Sequence, residues 1–411
     1  MTEHYDALES RDPGQREAAL LAALPAQVAH AKQNTDGFGR ILADVDARAV
    51  SSRAALAALP VTRKSDLHEL QRTTVPFGGL NATPAGQLAR IFISPGPIYD
   101  PEGRGADWWR MARPLFAAGF RSGDVIQNCF SYHFTPAASM LEGGALKLGC
   151  AVIPAGTGQT EQQVAAMAGL KPAGYVGTPS FLKIILEKAL ELGADVTSLK
   201  KALVSAEALP PSLRQWLADH GVRALQTYAS ADLGNIAYET DAMQGLIVDE
   251  DIILEILRPG TGDPVATGDV GEVVVTKLDR DYPLVRFATG DLSAILPGIS
   301  PCGRTNMRIK GWMGRADQTT KVKGMFVHPG QVASVVKRHP EILKARLVVD
   351  NPGGADRMTL HCEVANAPAG LAAAVADSLR DVTKLRGEVS LRKPGELPND
   401  GKVIEDAKKY D

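Results

Sequence analysis

The chain has 411 residues, and this length predicts two or three domains. Its 45 Lys and Arg residues nearly balance its 47 Asp and Glu residues, and the resulting net charge of −2 gives no electrostatic reason to expect a nucleic-acid partner. Hydrophobic residues at 45% and charged residues at 22% exclude a disordered or collagen-like chain, and four cysteines without a CxxC pair exclude a disulfide scaffold.

The first part of the sequence predicts helices. Residues 1–17 are polar and acidic, unlike a secretory signal, and the chain contains no run of 18 apolar residues. We therefore expect a cytoplasmic protein without a membrane partner. The Ala- and Leu-rich segment 18–32 predicts a helix, and Thr62 or Ser65 is placed to cap another helix within residues 59–70.

Between residues 90 and 230, strand-like and helical patterns alternate. The strand-like segments are RIFIS (90–94), DVIQNCF (124–130), CAVIPAG (150–156) and AGYVGTP (173–179). Helical patterns cover residues 107–119, where Trp108, Met111, Ala112 and Leu115 share one face, and residues 179–193. This alternation predicts a large layered α/β domain with a mostly parallel sheet.

The pattern changes near residue 245. Residues 245–278 read as strand, turn and strand, with Gly260, Gly262 and Asp263 in turn positions, so we expect a small antiparallel or β-barrel-like element. Beyond residue 317 a short α+β unit is predicted, with helices at 330–339 and 370–382 and strands at 344–350, 357–364 and 387–393. The predicted domains are therefore residues 1–316 and 317–411.

The most specific motif is YPLVRFATGDL, residues 282–292. It predicts a strand that ends in a Thr-Gly-Asp turn. A carboxylate at such a strand end, here Asp291, can accept hydrogen bonds from both vicinal hydroxyls of a ribose. Taken alone, the motif is more typical of an ordinary Gly-Asp turn.

Four further segments accompany this motif: TYASADLGNIAYET (227–240), CGRT (302–305), GRADQTTKVKGMFVHPGQVASVV (314–336) and LPNDGKVIED (397–406). In order and spacing the five segments resemble the phenylacetate–coenzyme A ligase family of adenylate-forming enzymes. The resemblance implies that ATP, brought with Mg²⁺, and a carboxylic acid form an acyl-adenylate, from which coenzyme A displaces AMP. It also implies that the C-terminal domain is mobile and rotates between the two steps.

Residue by residue, the resemblance implies five main roles. Tyr228 stacks on adenine and Asp291 binds ribose, whereas Arg315 contacts the nucleotide. Asp232 stands where the family has Glu, near the metal and phosphate, and Lys402 is the catalytic lysine. The alternatives are a buried core tyrosine for Tyr228, an interdomain salt bridge for Arg315 and a solvated charge for Lys402.

The remaining assignments rest on the same resemblance. They comprise nucleotide-binding Ser205, Glu207, Ser94 and Gly96, the hinge residue Asp317, coenzyme A-binding Lys323 and Gly324, and an acyl pocket formed by Tyr132, His133, Phe134 and Pro136. Core packing is the competing explanation for Phe134 and Met140, and a satisfied buried histidine is the alternative for His133.

Two departures from the family pattern stand out. In the phosphate loop, residues 91–103, Pro95 and Pro97 remove N–H donors and Asp100 replaces a common Lys, so we expect poor binding of pyrophosphate. Some relatives hold structural zinc, but the matching positions here are Thr240, Ile247, Ser300 and Cys302. One thiol cannot build a tetrahedral site, so no zinc is predicted.

The resemblance therefore implies an ATP-dependent aryl- or acyl-CoA ligase that acts on an aromatic or small carboxylic acid, with a homodimer as the expected assembly. The altered phosphate loop keeps two alternatives open. One is an acyl-transfer enzyme that uses a preformed acyl-adenylate or acyl-CoA. The other is a non-catalytic protein that binds AMP or a similar ligand on the same fold.

Overall fold

The computed structural model describes residues 3–258, 262–313, 315–316, 320–323, 325–327, 329–398 and 402–409. The chain divides into two compact units, residues 1–313 and residues 314–411. No helix in the described ranges is long and apolar enough to span a bilayer. The mixed α/β class predicted from the sequence is confirmed, whereas the roles assigned to the two domains stay a prediction.

The helices follow the amphipathic segments of the sequence. They are α1 (Pro13–Asn34), α2 (Asp36–Ile41), α3 (Arg53–Ala57), α4 (Leu67–Thr73), α5 (Ala112–Ala117), α6 (Ala137–Leu148), α7 (Thr160–Leu170), α8 (Pro179–Leu192), α9 (Pro211–Asp219), α10 (Pro329–Arg338) and α11 (Leu371–Thr383).

The strands of the N-terminal unit are β1 (Thr62–Arg63), β2 (Arg90–Ser94), β3 (Ile98–Glu102), β4 (Val125–Asn128), β5 (Ala151–Ile153), β6 (Gly174–Gly177), β7 (Lys201–Val204), β8 (Arg223–Ser230), β9 (Gly234–Tyr238), β10 (Leu246–Val248), β11 (Ile252–Leu257), β12 (Val270–Lys277), β13 (Phe287–Leu296) and β14 (Arg308–Ile309). Those of the C-terminal unit are β15 (Thr320–Val322), β16 (Met325–Val327), β17 (Ile342–Asp350), β18 (Arg357–Val364), β19 (Glu388–Arg392) and β20 (Ile404–Asp406).

The main sheet of the N-terminal unit has a parallel and an antiparallel part. The parallel part has the order β5–β4–β6–β7–β8 and is linked by helices, as the alternating sequence pattern predicts. It continues through β9, β10, β14, β13, β12 and β11, which pair antiparallel. The strands predicted after residue 245 therefore extend this sheet instead of forming a separate element.

Helix α8 shows how closely local sequence can specify a helix. It begins with Pro179 at its first turn, and the Thr178 side chain accepts a hydrogen bond from the backbone N–H of Phe181. Gly193 ends the helix in a left-handed conformation, with φ of 62°. The predicted span of residues 179–193 is confirmed.

Two helix predictions were wrong in detail. The segment 107–119 is helical only from Ala112, because Asp107 and Arg110 have φ of 56° and 61°. The Asp107 carboxylate accepts hydrogen bonds from the N–H groups of Met111 and Ala112, which starts the helix five residues late. Neither Thr62 nor Ser65 caps α4, whose first turn has no side-chain cap.

The Thr-Gly-Asp sequence also differs from its prediction. Instead of ending a strand, it lies inside β13, where the pairing with β12 becomes irregular between Glu272 and Val274. Gly290 has φ of 78°, which glycine adopts without a steric penalty. The resulting bulge carries Asp291, and bulges of this kind re-aim the side chains beside them.

The C-terminal unit is a small α+β fold. Its four-stranded sheet has the order β19–β18–β17–β20, and a separate hairpin joins β15 to β16. Helices α10 and α11 contact each other, and a buried apolar cluster that includes Val335, Leu347 and Val375 forms a core separate from the N-terminal one. The helices and strands predicted for residues 330–393 are confirmed.

Candidate active site

The parallel strands bring the candidate residues to one edge of the sheet. The carboxyl ends of β4, β6, β7 and β8 lie side by side because these strands are parallel neighbours. The segments that follow them are residues 129–136, 178–180, 205–210 and 231–233, and they contain most of the predicted acyl and nucleotide residues. Ligands of open α/β sheets bind at this edge.

A first group of side chains, the nucleoside cluster, consists of Tyr228, Thr289, Asp291 and Trp312. The Tyr228 hydroxyl lies 2.9 Å from Oδ2 of Asp291 and 3.2 Å from Oγ1 of Thr289. The Trp312 indole N–H donates to Oδ1 of Asp291 over 3.1 Å. Asp291 is half-buried. The predicted partners Tyr228 and Asp291 are thus brought together.

The predicted residues after β7 lie on the neighbouring strand end. Ser205 donates a hydrogen bond of 2.8 Å from its hydroxyl to the carbonyl of Thr227, which precedes Tyr228. Glu207 is exposed and accepts a hydrogen bond of 2.5 Å from Ser180. Ser205 is therefore placed beside the nucleoside cluster, whereas Glu207 is held at the surface by the first turn of α8.

The predicted phosphate loop forms the hairpin of β2 and β3. Ser94 pairs with Ile98, so Pro95, Gly96 and Pro97 form the turn. The Ser94 hydroxyl is weakly bonded to the carbonyl of Ile98, at 3.4 Å. Pairing along the ladder places Asp100 opposite Phe92, at the middle of the hairpin.

A second group, the buried carboxylate cluster, consists of Lys64, Asp100, Asp232 and Tyr282. Lys64 donates to Oδ2 of Asp232 over 2.5 Å, while Oδ1 of Asp232 accepts no hydrogen bond from a described residue. Asp100, Asp232 and Tyr282 are all 0% exposed. The two carboxylate oxygens of Asp100 make no hydrogen bond with a described residue, and the same is true of the Tyr282 hydroxyl.

The environment changes the ionisation of this cluster. Burial, followed by the negative charge of Asp232, raises the pKa of Asp100 to about 7, and the Lys64 ammonium acts in the opposite direction. Burial, then Asp232 and then Asp100 raise the pKa of Tyr282. The charges of both carboxylates thus act on the hydroxyl of Tyr282, and all three side chains are fully buried.

The cluster fits the Mg²⁺ that the family resemblance implies. Three carboxylate oxygens and a hydroxyl without hydrogen bonds are hard oxygen donors, and Mg²⁺ is commonly held by one or two carboxylates plus water and phosphate oxygens. Asp100 and Asp232 would hold the ion. Within the described ranges, no three or more His, Cys, Asp and Glu side chains are grouped to hold a metal by themselves.

The predicted acyl-pocket residues follow β4. The Tyr132 hydroxyl donates to Glu142 over 2.6 Å, and Pro136 is buried at the start of α6. His133 is exposed, so its reading as a buried histidine was wrong, and its ring contacts that of Phe134 at 4.5 Å. Phe134 is 59% exposed and does not pack in the core, unlike Met140.

A cavity of about 510 Å³ lies elsewhere in this unit, between the base of the β2–β3 hairpin and α6. Its walls include Trp108, Trp109 and Met140, and none of the predicted site residues lines it. The aromatic side chains after β4 thus stand at the open edge of the sheet and do not enclose this cavity.

The positions that match a zinc site hold a different arrangement. Thr240, Ile247, Ser300 and Cys302 are all buried. The hydroxyl of Ser300 lies 3.1 Å from the sulfur of Cys302, and Arg304 donates to the same sulfur over 3.7 Å. Ser300 and Arg304 thus make polar contacts with the thiol of Cys302. The absence of zinc stays a prediction.

The structure describes three of the five candidate residues of the C-terminal unit. Arg315 is half-buried, Lys402 is exposed in the segment before β20, and Lys323 donates its backbone N–H to Asp356 over 2.6 Å. Asp317 and Gly324 lie outside the described residues. The roles of these five residues stay predictions.

Sequence reasoning missed four members of the two clusters: Lys64, Tyr282, Thr289 and Trp312. Of these, Thr289 and Tyr282 lie in the YPLVRFATGDL motif. Their presence in matched segments was therefore the available signal, although it named no role for them.

Known proteins resemble this chain at both the sequence and the structural level. Residues 106–278 match the family of AMP-binding enzymes. The chain is 30% identical over 380 residues to the phenylacetate-coenzyme A ligase of Aromatoleum evansii, covering 87% of this chain and 84% of that protein. It is 31% identical over 355 residues to the phenylacetate-coenzyme A ligase of Thermus thermophilus, covering 82% and 79%.

A solved structure shares the fold over most of its length. The crystal structure of 2-hydroxyisobutyryl-CoA ligase in complex with 2-HIB-AMP and CoA matches with a TM-score of 0.81 and 23% identity, covering 98% of this chain and 92% of that chain. Because the match covers 98% of this chain, the shared fold includes the C-terminal unit.

Proposed function

The chain belongs to the phenylacetate–coenzyme A ligase family of AMP-binding enzymes, and from this premise we propose that it joins a small aromatic carboxylic acid to coenzyme A with consumption of ATP. It is an AMP-forming acid–thiol ligase by family membership. The observation that carries the proposal is the nucleoside cluster, in which an aromatic ring and an oriented carboxylate stand together at the carboxyl edge of the sheet.

The nucleoside cluster suits the adenosine part of ATP. Tyr228 and Trp312 each donate one hydrogen bond to Asp291, and they fix the plane of its carboxylate. The Asp291 carboxylate can accept hydrogen bonds from the two ribose hydroxyls, because carboxylate oxygens each accept more than one donor. The Tyr228 ring can then stack on adenine.

The proposed chemistry has two steps. In the first, an oxygen of the substrate carboxylate attacks the α-phosphorus of ATP, and pyrophosphate leaves. In the second, the thiol of coenzyme A attacks the carbonyl carbon of the acyl-adenylate, and AMP leaves. Lys402 neutralises the negative charge that develops between the carboxylate and the α-phosphate in the first step. Mg²⁺, when bound, supplies positive charge that offsets the charge of the triphosphate.

The aromatic nature of the acid is supported by the segment after β4. Tyr132, His133 and Phe134 place three rings at the sheet edge, and aromatic side chains pack favourably against an aryl group. The family's phenylacetate-coenzyme A ligases point to the same class of acid. We further propose that the protein is a homodimer, which light scattering during gel filtration tests.

Acid-dependent exchange of labelled pyrophosphate into ATP tests the first step of this function. A panel of phenylacetate-like, benzoate-like and short aliphatic acids separates aryl from acyl specificity. Addition of coenzyme A should then give the thioester. Exchange with aliphatic acids only would contradict the aromatic proposal, and no exchange with any acid would contradict the ligase itself.

A second candidate is favoured by one observation, the burial of Asp100 in the phosphate hairpin. An anionic group at this point opposes binding of a triphosphate. The chain would then transfer an acyl group from a supplied acyl-adenylate to coenzyme A without activating the acid. Thioester formation from a supplied acyl-adenylate, without pyrophosphate exchange, would identify this activity.

A further inference from the structure

The hydroxyl of Tyr132 is held in one orientation by its neighbours. The side-chain N–H of Asn128, at the end of β4, donates to this hydroxyl over 3.0 Å and to the carbonyl of Ala138 over 2.9 Å. The side-chain oxygen of Asn128 accepts from the backbone N–H of Phe130. These two backbone contacts fix which end of the amide donates. The Tyr132 hydroxyl therefore accepts from Asn128, and its own proton points to Glu142 on α6, 2.6 Å away.

The Glu142 carboxylate is left with one oxygen for a further donor. Its Oε2 accepts the proton of Tyr132, whereas its Oε1 accepts no hydrogen bond from a described residue. The carboxylate is half-buried, and no Lys, Arg or His of the described ranges forms an ion pair with it. A carboxylate that has lost part of its water needs donors in exchange, and a bound ligand can supply one.

We propose that Glu142 selects aromatic acids that carry a hydrogen-bond donor, a hydroxyl or an amino group, on the ring position remote from the carboxyl group. The donor of the substrate binds Oε1 of Glu142, while Tyr132 and Asn128 hold the carboxylate in place for it. Glu142 is thus a specificity-determining residue, and Tyr132 and Asn128 are positioning residues. The selection rests on the proposed function, because it concerns the acid that the same site activates.

The order of the strands places Glu142 at the far end of a bound acid. The nucleoside cluster includes Tyr228 on β8, and the order β4–β6–β7–β8 separates it from Asn128 on β4 by three strand spacings. Strands that are about 4.8 Å apart make this separation about 14 Å. In the proposed function the carboxyl group of the acid meets the α-phosphate beside the nucleoside cluster. The rest of the acid then extends across β7 and β6 towards β4, where Tyr132 holds Glu142.

The charge of Glu142 discriminates between acids both by attraction and by its desolvation. A hydroxyl or amino donor forms a charge-assisted hydrogen bond with Oε1, which is stronger than a bond between neutral groups. A methyl group in the same place displaces water from the carboxylate and returns no hydrogen bond. Sites built to bind a hydroxyl reject analogues without one more strongly than apolar pockets reject an added group. The discrimination should therefore be clear between acids of the same shape.

Thioester formation by the full chain with ATP, Mg²⁺ and coenzyme A tests the proposal. The acids compared are para-hydroxyphenylacetate, para-aminophenylacetate and para-methylphenylacetate, which have nearly the same shape. We expect kcat/KM to be at least about tenfold higher for the hydroxy or the amino acid than for the methyl acid. The higher of the two values identifies which donor Glu142 prefers.

Three variants separate the roles of the two side chains. Glu142→Leu should bring the ratio of the kcat/KM values to about one or below, because leucine accepts no hydrogen bond and suits a methyl group. Glu142→Gln keeps the shape and one acceptor oxygen, so it should restore part of the preference. Tyr132→Phe should lower the preference about two- to tenfold, mainly through KM, because one hydrogen bond that orients Glu142 is lost.

Glu191→Gln is the matched control. Glu191 is also a helical glutamate that accepts one hydrogen bond of 2.6 Å, from Lys188 on α8. This variant should keep the acid preference of the unmodified chain, and circular dichroism checks that every variant is folded.

Two results would overturn the proposal: no preference for the hydroxy or amino acid in the unmodified chain, or the same preference in folded Glu142→Leu. Thioester formation without this preference refutes the selection and leaves the ligase function intact. If no acid gives a thioester, the proposed function fails, and calorimetric titration of the same acids in the presence of AMP decides the selection. Tighter binding of the hydroxy or amino acid that is lost in Glu142→Leu supports it, whereas equal or absent binding overturns it.

Discussion

The nucleoside cluster and the buried carboxylate cluster lie in the same unit but differ in how their charges are satisfied. In the first, both oxygens of the half-buried Asp291 accept a hydrogen bond. In the second, Asp100 is fully buried and neither of its oxygens accepts one from a described residue. The contrast teaches that one carboxylate is oriented by neighbouring donors, whereas the other is buried without them.

This difference has an energetic meaning. A carboxylate oriented by two donors needs little rearrangement to bind ribose, so most of the interaction energy is available for binding. An unpaired buried carboxylate instead destabilises the folded chain, and such strain is retained at sites where function requires it. The two clusters should therefore respond in opposite ways to removal of their aspartates.

The largest effect on activity is expected for a catalytic lysine that belongs to neither cluster. Lys402→Ala should lower acid-dependent pyrophosphate exchange by about 100- to 1000-fold, because an ammonium that neutralises transition-state charge is lost. Thioester formation from a supplied acyl-adenylate should be largely retained. AMP binding by the nucleoside cluster should not change.

Lys409→Ala is the control for this variant. It removes another exposed lysine of the same terminal segment, and exchange should stay at the level of the unmodified chain. Equal loss of both half-reactions in Lys402→Ala would contradict the role assigned to this lysine.

The second prediction tests whether the clusters are independent. Asp291→Ala should weaken AMP binding by at least about 100-fold, because two charge-assisted hydrogen bonds to ribose are lost, each contributing roughly 1.5–3 kcal/mol. Asp100→Asn should leave the AMP affinity, measured by calorimetry, unchanged. Parallel losses in both variants would mean that the clusters act as one unit.

The third prediction concerns the free energy of unfolding. In EDTA at about pH 8, Asp100→Asn should be more stable than the unmodified chain by about 1–3 kcal/mol, because an unpaired buried charge is removed. The folded-state pKa of Asp100, about 7, lies above its value in the unfolded chain. Its contribution to stability is therefore present at low pH and lost as the pH rises through 7, so the advantage of the variant should shrink by pH 5.

The buried Asp107 provides the opposite case. Asp107→Asn should be less stable by about 1 kcal/mol. Each oxygen of Asp107 accepts one backbone hydrogen bond, from Met111 or from Ala112, and the NH₂ group that replaces one oxygen cannot accept any. Urea unfolding of the two variants measures both values. A loss of stability in Asp100→Asn as large as in Asp107→Asn would remove the contrast between satisfied and unsatisfied carboxylates.

Local signals in the sequence were enough for much of the fold. Thr178, Pro179 and Gly193 specify the ends of α8, and the alternation of strands and helices specifies the parallel part of the sheet. The Thr-Gly-Asp turn was misassigned because a bulge inside a long strand has the same local sequence as a turn. The late start of α5 depends on an aspartate that caps from inside the predicted helix.

The site could be predicted only in part, for a physical reason. The spacing of motifs pointed to Tyr228 and Asp291, and it marked Asp100 as a charge of unexpected sign. The pairing of Lys64 with Asp232 joins residues 168 positions apart, and no periodicity reports such a contact. The lack of a hydrogen-bond partner for Asp100 likewise depends on the packing around it. This packing forms only when the hairpin, β1 and the β8–β9 turn are assembled.

The smallest expected effect tests how the nucleoside cluster is organised. Tyr228→Phe keeps the ring that would stack on adenine and removes the hydroxyl that donates to Asp291. One hydrogen bond of this kind contributes about 0.5–1.5 kcal/mol, so AMP affinity should fall about two- to tenfold by calorimetry. Trp312 still holds the other oxygen of Asp291, so the carboxylate keeps part of its orientation. Tyr228→Ala should weaken binding more, since the stacking surface is also lost. A loss in Tyr228→Phe as large as in Asp291→Ala would mean that the carboxylate depends on this one hydroxyl, and that the nucleoside cluster is no better organised in advance than the carboxylate cluster.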